Sequence, residues 1–359
     1  MTEIYNFYAG PAVIYDEVLR EAQEELLDFD GTGMSVLTVS HRAKAFDRVI
    51  QEAEANMKEL MGLGDDYRVL FLQGGASLQF SMLPLNFLAP DQTADYILTG
   101  AWSEKAQKEA NKVGATRVAY DGSNANYTHI PTPEELSLNS DAVYTHMTSN
   151  NTIFGTEFDY IPETANPLIA DMSSDILSKP MDFGKFAMIY AGAQKNLGPA
   201  GVTVVVIQKD FLATAGEVGA TMLKYSTHAD KNSLYNTPPA FSVYMVNLVL
   251  RHIKKLGLDN VAANNQAKAK LIYDAIDSSR GFYKGHADKA SRSLMNITFT
   301  MADQELEKKF VTEGEAAGFI GIKGHRSVGG LRASVYNAMP LAGAKALAEF
   351  MAEFMRKNG

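Results

Sequence analysis

One lysine lies in a loop of small residues between two apolar runs, and this stretch constrains the fold more than any other part of the chain. Residues 186–190 and 202–207 consist mainly of aromatic and β-branched side chains, which is typical of buried strands. The glycines and the proline between them predict a turn around Lys195. Because an unpaired ammonium group is costly to bury, a Schiff base with an aldehyde cofactor is one explanation for a lysine at this position. Taken alone, these residues fit a solvated loop lysine better, so the neighbouring features must decide between the two.

The composition narrows the classes of protein to which the chain can belong. With 359 residues it is long enough for two domains. Its net charge of −9 disfavours binding to nucleic acid or anionic membranes, and its lack of cysteine excludes disulfides, thiolate metal sites and a catalytic thiol. The longest apolar run is too short to cross a bilayer, and the N-terminus lacks the pattern of a signal peptide. We therefore expect a cytoplasmic protein without nucleic-acid or membrane partners.

Predicted strands and helices alternate through the first two thirds of the chain, which indicates an α/β fold with a mainly parallel sheet. The predicted strands of this part are residues 68–72, 95–99, 142–146, 167–170, 186–190 and 202–207. The predicted helices are residues 16–29, 43–60, 78–87, 103–113 and 240–256. After Gly257 the pattern predicts a smaller α+β domain, so we expect an N-terminal segment (1–15), a large domain (16–258) and a small domain (259–359).

Three features follow predicted strands of the large domain, where parallel sheets bind ligands. The glycine turn at residues 73–77 leads into a helix, a geometry that surrounds a phosphate with backbone N–H groups. Trp102, the only tryptophan, is suited to stacking on a planar ring, although a packing role fits it equally well. Asp171 follows the strand before the lysine loop, where it can supply the counter-charge that a pyridinium nitrogen needs.

Cationic side chains cluster in two further loops. His41 and Arg42 lie just before a predicted helix, where a positive charge interacts unfavourably with the helix dipole. They are therefore candidates for binding an anion. A solvated pair is an equally good interpretation of these two. His325, Arg326 and Arg332 lie among glycines in the stretch 323–337, where the backbone can approach a ligand closely.

Taken together, these segments resemble the phosphoserine aminotransferase family over essentially the whole chain. The most specific matches are AGAQKNLGPAG at 191–201, NTPP at 236–239 and GHRSVGGLRASVYNA at 324–338. FYAGPA at 7–12, TVSHR at 38–42, LFLQGGASLQF at 70–80, TGAWSEKA at 99–106, HMTSNNTIFGTE at 146–157 and ADMSSDILS at 170–178 accompany them in the same order. The resemblance implies a fold-type-I pyridoxal 5′-phosphate (PLP) enzyme, with a seven-stranded, mainly parallel sheet, a small C-terminal domain and a homodimer with shared active sites.

The resemblance also implies a role for individual residues. Lys195 would carry the internal aldimine with PLP, Asp171 would pair with the pyridine nitrogen, and Trp102 would stack on the ring. The other residues implied to bind the cofactor are Thr152 at the ring edge, Ala76, Ser77, Ser173 and Gln194 at its phosphate, and Asn236 and Thr237 at the phosphate in the neighbouring subunit.

For the substrates, the resemblance implies that Arg332 anchors the α-carboxylate. His41 and Arg42 of one subunit would join His325 and Arg326 of the other around the side-chain phosphate or the γ-carboxylate of glutamate. Two positions depart from some members of the family: Ser77 stands where some have arginine, and Ala9 stands where others have serine. We therefore expect the phosphate site to rely more on backbone N–H groups, without a hydroxyl contact from residue 9.

The sequence predicts a transaminase of serine biosynthesis that converts 3-phosphohydroxypyruvate and L-glutamate to O-phospho-L-serine and 2-oxoglutarate. In this reaction the freed Lys195 amine would act as the general base at the substrate Cα. Another enzyme of the same fold, such as a desulfurase or a serine–glyoxylate type aminotransferase, is the nearest alternative, although the lack of cysteine excludes a cysteine desulfurase. A metal-dependent hydrolase using Asp171, Asp175 and a histidine is less favoured, because the seven histidines show no ligand spacing. A non-catalytic dimeric binding protein, which would lack the yellow colour of a PLP enzyme, is the third alternative.

Overall fold

The computed structural model describes residues 3–359, which form a large α/β unit and a smaller α+β unit. The helices are α1 (Asp16–Glu25), α2 (Lys44–Met61), α3 (Gly75–Phe87), α4 (Ala101–Ala110), α5 (Lys209–Ala213), α6 (Tyr225–Ala229), α7 (Ala240–Leu256), α8 (Leu258–Asp277), α9 (Gln304–Ala316) and α10 (Leu341–Asn358). The strands are β1 (Tyr5–Asn6), β2 (Tyr67–Leu72), β3 (Thr93–Leu98), β4 (Ala115–Asp121), β5 (Thr145–Thr148), β6 (Asn150–Asn151), β7 (Thr156–Glu157), β8 (Leu168–Asp171), β9 (Met188–Gly192), β10 (Thr203–Gln208), β11 (Tyr283–Gly285), β12 (Asn296–Met301), β13 (Phe319–Ile320) and β14 (Leu331–Ser334).

Seven strands form the central sheet in the order β2-β10-β9-β8-β5-β3-β4. Neighbouring strands from β9 to β4 are parallel, whereas β10 is antiparallel to both β9 and β2. Six strands therefore point the same way and bring their carboxyl ends to one edge. The predicted mainly parallel sheet is confirmed.

The pleat of β10 explains why helices cover both faces of this sheet. Val204 and Val206 pack into one apolar core together with residues of α2 and α7, whereas Val205 and Ile207 pack into the other with residues of α3 and α4. All four side chains are fully buried. Because successive side chains of a strand point to opposite faces, a continuous apolar run is required where both faces are covered. Each such side chain contributes about 1.5–3 kcal/mol by its burial.

The C-terminal part of the chain builds a separate core around the antiparallel sheet β11-β12-β14. Ile297 and Phe299 of β12 pack there with Phe310 of α9 and Leu347 of α10. The N-terminal strand β1 pairs with β13 in parallel, so the start of the described chain is fixed to this second unit. Gly257, with φ of 80°, separates α7 from α8. The sequence-based limits of the domains stay a prediction.

Several elements differ from those predicted from the sequence. The stretch 323–337, predicted as a loop, contains β14, in which Leu331 and Ala333 are buried while Arg332 between them is only partly buried. A strand of four residues that follows two glycines is too short to show the alternation of apolar and polar side chains that identifies a strand. Strand β4 was not predicted because it lies at the sheet edge, where even Val118 remains 40% exposed. Within residues 3–359 no helix is both long and apolar enough to cross a membrane.

Candidate active site

A small cavity of about 120 Å³ opens at the carboxyl edge of the central sheet. It is lined by Gly75, Ala76, Ser77, Trp102, Thr148, Asn150, Thr152, Asp171, Ser173, Ser174, Gln194 and Lys195. These residues follow or end the strands β2, β3, β5, β8 and β9, so the parallel topology brings together side chains that are up to 120 positions apart in the sequence, from 75 to 195. Eight of the ten residues predicted to bind the cofactor are among them.

Lys195 projects into this cavity from the turn between β9 and β10. Its Nζ donates a hydrogen bond of 2.6 Å to Oγ1 of Thr152. Burial lowers the pKa of Lys195 to about 8, and the attraction of Asp171 opposes that shift only in part. With this pKa roughly a tenth of the amine is neutral at pH 7, far more than for an ordinary lysine, and the neutral form is the one that can attack an aldehyde or accept a proton.

Asp171 ends β8, the strand next to β9, and is only 5% exposed. Its Oδ1 accepts hydrogen bonds from the backbone N–H (2.9 Å) and the hydroxyl (2.6 Å) of Ser173. The Ser173 hydroxyl oxygen in turn accepts one from the N–H of Gly192 at 3.1 Å. Burial raises the pKa of Asp171, and the Ser173 hydrogen bonds and the Lys195 charge oppose this increase. A cationic ring nitrogen would be a suitable partner for such a carboxylate.

The turn between β2 and α3 has the geometry of an anion site. Gly74 and Gly75 have φ values of 88° and 65°, a region that residues with a side chain rarely adopt. A Cβ on Gly74 would also lie 2.6 Å from the side chain of Leu78. The turn leads into the 13-residue helix α3, whose first residues Gly75, Ala76 and Ser77 line the cavity, and a helix N-terminus favours a phosphate.

Trp102 lies in the first turn of α4, immediately after β3. The helix can begin this close to β6 because position 100 is glycine, where a Cβ would collide with Oδ1 of Asn151. The indole Nε1 of Trp102 is buried and has no hydrogen-bond partner within residues 3–359. On its helix, the Nζ of Lys105 lies 4.1 Å from the centre of the Trp102 ring. The ring is thus held at the cavity wall by packing, which suits a stacking role.

Two polar atoms of the cavity were not predicted to have a role. Oγ1 of Thr148 and Oδ1 of Asn150 are buried without a hydrogen-bond partner among the described residues. Such atoms are costly to bury unless a ligand or water satisfies them. Both belong to the hydroxyl- and amide-rich stretch 147–152 that follows β5, so composition was the only signal, and it could not select them individually.

The cavity therefore matches PLP in its chemistry: a helix N-terminus for the phosphate, a carboxylate for the ring nitrogen, unpaired polar atoms for the ring substituents and an amine for the aldehyde. The residues present fit this cofactor.

Arg332 reaches the site from the second unit. Its Nη1 donates a hydrogen bond of 3.2 Å to the backbone oxygen of Thr152, the residue whose hydroxyl accepts from Lys195. The Nε of Arg332 is buried without a hydrogen-bond partner within residues 3–359. Because the guanidinium keeps donors available close to Lys195, it is suited to a planar carboxylate.

Apart from Arg332, six predicted site residues are not among those that line the cavity: His41, Arg42, Asn236, Thr237, His325 and Arg326. Arg42 and Thr237 are exposed, and so is Arg326. The backbone oxygen of Thr237 accepts a hydrogen bond of 3.5 Å from Nε2 of Gln73, beside the glycine turn of its own chain. Nδ1 of His325 lies 2.7 Å from Oγ of Ser327. The roles of these six residues stay predictions.

The described residues contain no set of side chains suited to binding a metal ion. Within residues 3–359 no group of three or more histidine, aspartate or glutamate side chains is arranged to hold a metal ion.

Comparisons with known proteins agree over nearly the full length. The model of the family described as aminotransferase class-V matches residues 4–347. A phosphoserine aminotransferase of Herpetosiphon aurantiacus is 56% identical over 358 residues, which cover 99% of each chain. The structure of phosphoserine aminotransferase from Bacillus circulans subsp. alkalophilus is 53% identical, with a TM-score of 0.97 over 99% of each chain. The PLP-bound phosphoserine aminotransferase of Trichomonas vaginalis is 37% identical, with a TM-score of 0.92 over 98% of this chain and 100% of that one.

Proposed function

We propose, from the premise that the chain belongs to the aminotransferase class-V family, that its cavity binds PLP at Lys195 and transfers an amino group between L-glutamate and 3-phosphohydroxypyruvate. The products are 2-oxoglutarate and O-phospho-L-serine. The observation that carries the residue assignment is the hydrogen bond of 2.6 Å from Lys195 to Thr152, in a cavity that also holds the Asp171 carboxylate.

Lys195 and Asp171 divide the proton chemistry between them. When bound, PLP supplies an aldehyde that condenses with amines and a ring that accepts the electrons of the substrate Cα–H bond. Lys195 Nζ takes the proton from the substrate Cα and returns one to the product, which its pKa of about 8 permits near neutral pH. Asp171 keeps a proton at the ring nitrogen, and its carboxylate is held in place by Ser173.

Arg332 sets the orientation of the substrate. Its guanidinium and the Lys195 amine lie close together, because both donate hydrogen bonds to Thr152. A substrate α-carboxylate bound there would present its Cα hydrogen to Lys195. Hydrogen bonds between charged groups contribute about 1.5–3 kcal/mol each, so this contact contributes substantially to the binding of either substrate.

The far end of the substrate requires a second set of cations and, in our proposal, a second copy of the chain. His325 and Arg326 belong to the glycine-rich stretch 323–330, while His41 and Arg42 come from the other subunit of a homodimer. Asn236 and Thr237 likewise serve the cofactor phosphate of the other subunit. The exposure of Arg42 and Thr237 and their absence from the cavity of their own chain support this arrangement.

Absorption spectroscopy combined with product analysis tests the proposal. The purified protein should be yellow, should change colour when L-glutamate is added, and should regain the colour with 3-phosphohydroxypyruvate while forming O-phospho-L-serine. The Lys195→Ala variant should fold but show neither turnover nor a cofactor that borohydride fixes to the chain. A wild-type protein without colour or turnover, or a variant whose cofactor is fixed to another lysine, would contradict the assignment.

A further inference from the structure

Lys105 occupies a position at the candidate active site to which the proposed function gives no role. It lies three residues after Trp102 on α4, so the two side chains share one face of the helix. Its Nζ lies 4.1 Å from the centre of the Trp102 ring, which itself lines the cavity. The ammonium group of Lys105 therefore lies against the Trp102 ring near the cavity, and the side chain is exposed.

Lys105 has no carboxylate partner within residues 3–359. Two nearby lysines do: Lys108 on the same helix lies 3.1 Å from Glu104, and Lys112 just after the helix lies 2.7 Å from Glu109. Glu104 precedes Lys105 directly but is engaged by Lys108 and by the hydroxyl of Tyr127. A lysine beside a cavity and without a carboxylate partner is available to bind an anion.

Lys105 is one of three cationic side chains whose charges act on His325. The pKa of His325 is lowered by its burial and by the charges of Arg332, Arg326 and Lys105, in that order. The charge of α4 thus acts on the same histidine as the charges of the stretch 323–332. Neither Arg326 nor Arg332 forms a salt bridge with the described residues, as is also true of Lys105. These four side chains, Lys105, His325, Arg326 and Arg332, are here called the entrance cluster.

We propose that Lys105 is a further substrate-binding residue, which binds the side-chain phosphate of the amino acceptor from α4 of the same chain. The inference rests on the proposed function and adds to it a substrate contact from helix α4. An exposed contact between an ammonium group and an aromatic face is weaker than a charge-assisted hydrogen bond to a phosphate. The ammonium can therefore turn from the Trp102 ring towards an arriving phosphate.

The charge of the ligand decides which substrate depends most on Lys105. The phosphate of 3-phosphohydroxypyruvate carries close to two negative charges near neutral pH, whereas the γ-carboxylate of glutamate carries one. A carboxylate fits the planar guanidinium of Arg326 or Arg42, while a phosphate offers additional oxygen atoms to a lysine. Lys105 should therefore favour the phosphorylated keto acid over glutamate.

The test compares Lys105→Gln with Lys105→Arg, and uses Lys108→Gln as the matched control on the same helix. In Lys105→Gln, kcat/KM for 3-phosphohydroxypyruvate should fall by about 10- to 100-fold, as expected for the loss of one charge-assisted hydrogen bond. The values for glutamate and for the phosphate-free hydroxypyruvate should change by less than about threefold, on the scale of a surface substitution. Lys105→Arg should recover most of the loss, and Lys108→Gln should behave as the wild type.

A binding measurement that does not depend on turnover completes the test. Trp102 is the only tryptophan, so its fluorescence reports directly on the neighbouring ammonium. Titration of inorganic phosphate should change this fluorescence in the wild type and in Lys108→Gln, with weaker binding in Lys105→Gln. A wild type without transaminase activity would overturn the proposed function itself. An active wild type, with Lys105→Gln equal to Lys108→Gln on every substrate or impaired equally on glutamate and the phosphorylated keto acid, would overturn only the role of Lys105.

Discussion

The hydroxyl and the backbone N–H of Ser173 both donate to the same carboxylate oxygen of Asp171, Oδ1. Within residues 3–359 the Asp171 side chain accepts no hydrogen bond on Oδ2. One oxygen therefore fixes the carboxylate and the other stays available at the cavity that Asp171 lines. The serine positions the charge, and the charge is what a protonated ring nitrogen requires.

Replacement of Asp171 by asparagine should lower kcat strongly. The amide oxygen can still accept from Ser173, so the geometry is preserved while the negative charge is lost. Removal of one electrostatic stabiliser of a transition state costs about 2.7–4 kcal/mol, which corresponds to about a 100- to 1,000-fold loss. Steady-state kinetics of Asp171→Asn provide the measurement, and Ser173→Ala, which keeps the charge, should lose less. An asparagine variant within about tenfold of the wild type, or roughly 1.4 kcal/mol, would show that Asp171 is not the ring partner.

A buried lysine of the second unit predicts a pH dependence of stability. Lys268 of α8 is fully buried, its Nζ donates to the backbone oxygen of Tyr336 at 2.6 Å, and burial lowers its pKa to about 7. Between pH 7 and its ordinary value near 10.4, the unfolded chain therefore binds more protons at this site than the folded chain does. The free energy of unfolding contributed by this site should rise with pH over that interval, by at most about 1.4 kcal/mol per pH unit.

The measurement is the melting temperature of the wild type and of Lys268→Met between pH 7 and pH 10. The difference between them should change in favour of the wild type as the pH rises, because methionine does not titrate. Lys270→Met is the matched control, since Lys270 lies on the same helix, is 73% exposed and pairs with Asp274. Parallel pH curves for the wild type and Lys268→Met would rule out a depressed pKa at Lys268.

Mixed dimers should show whether Arg42 serves the partner's site. One chain carries Lys195→Ala and the other carries Arg42→Ala. If Arg42 crosses between subunits, both changes fall in one site and the other site stays intact, so the mixed dimer should keep near wild-type activity per intact site. If Arg42 serves its own chain, each site carries one defect. Steady-state rates with 3-phosphohydroxypyruvate distinguish the two results, with the two homodimeric variants as references.

The sequence was sufficient for the family, the fold class and the reaction, which the comparisons confirm. The positions of Lys195 and Asp171 were predictable because neighbouring parallel strands end at a common edge. Thr148 and Asn150 were not, because the direction of a side chain just after a strand depends on how the chain bends there. Strand β14 was also missed, and with it the fact that Arg332 sits on a strand and not in a loop. The glycines that precede this strand are typical of a loop, and they hid its short run of strand-forming residues.

The reversed strand β10 has an implication for how this protein can diversify. It ties both ends of the Lys195 turn to strands in the interior of the sheet, at Gly192 and Thr203. The turn is therefore anchored by buried strands at both ends, whereas the stretch 323–330 and the exposed face of α4 lie outside the sheet. New substrate preferences can therefore arise through substitutions in the entrance cluster while the reactive amine keeps its position. The type of reaction would then stay the same while the substrate specificity changes.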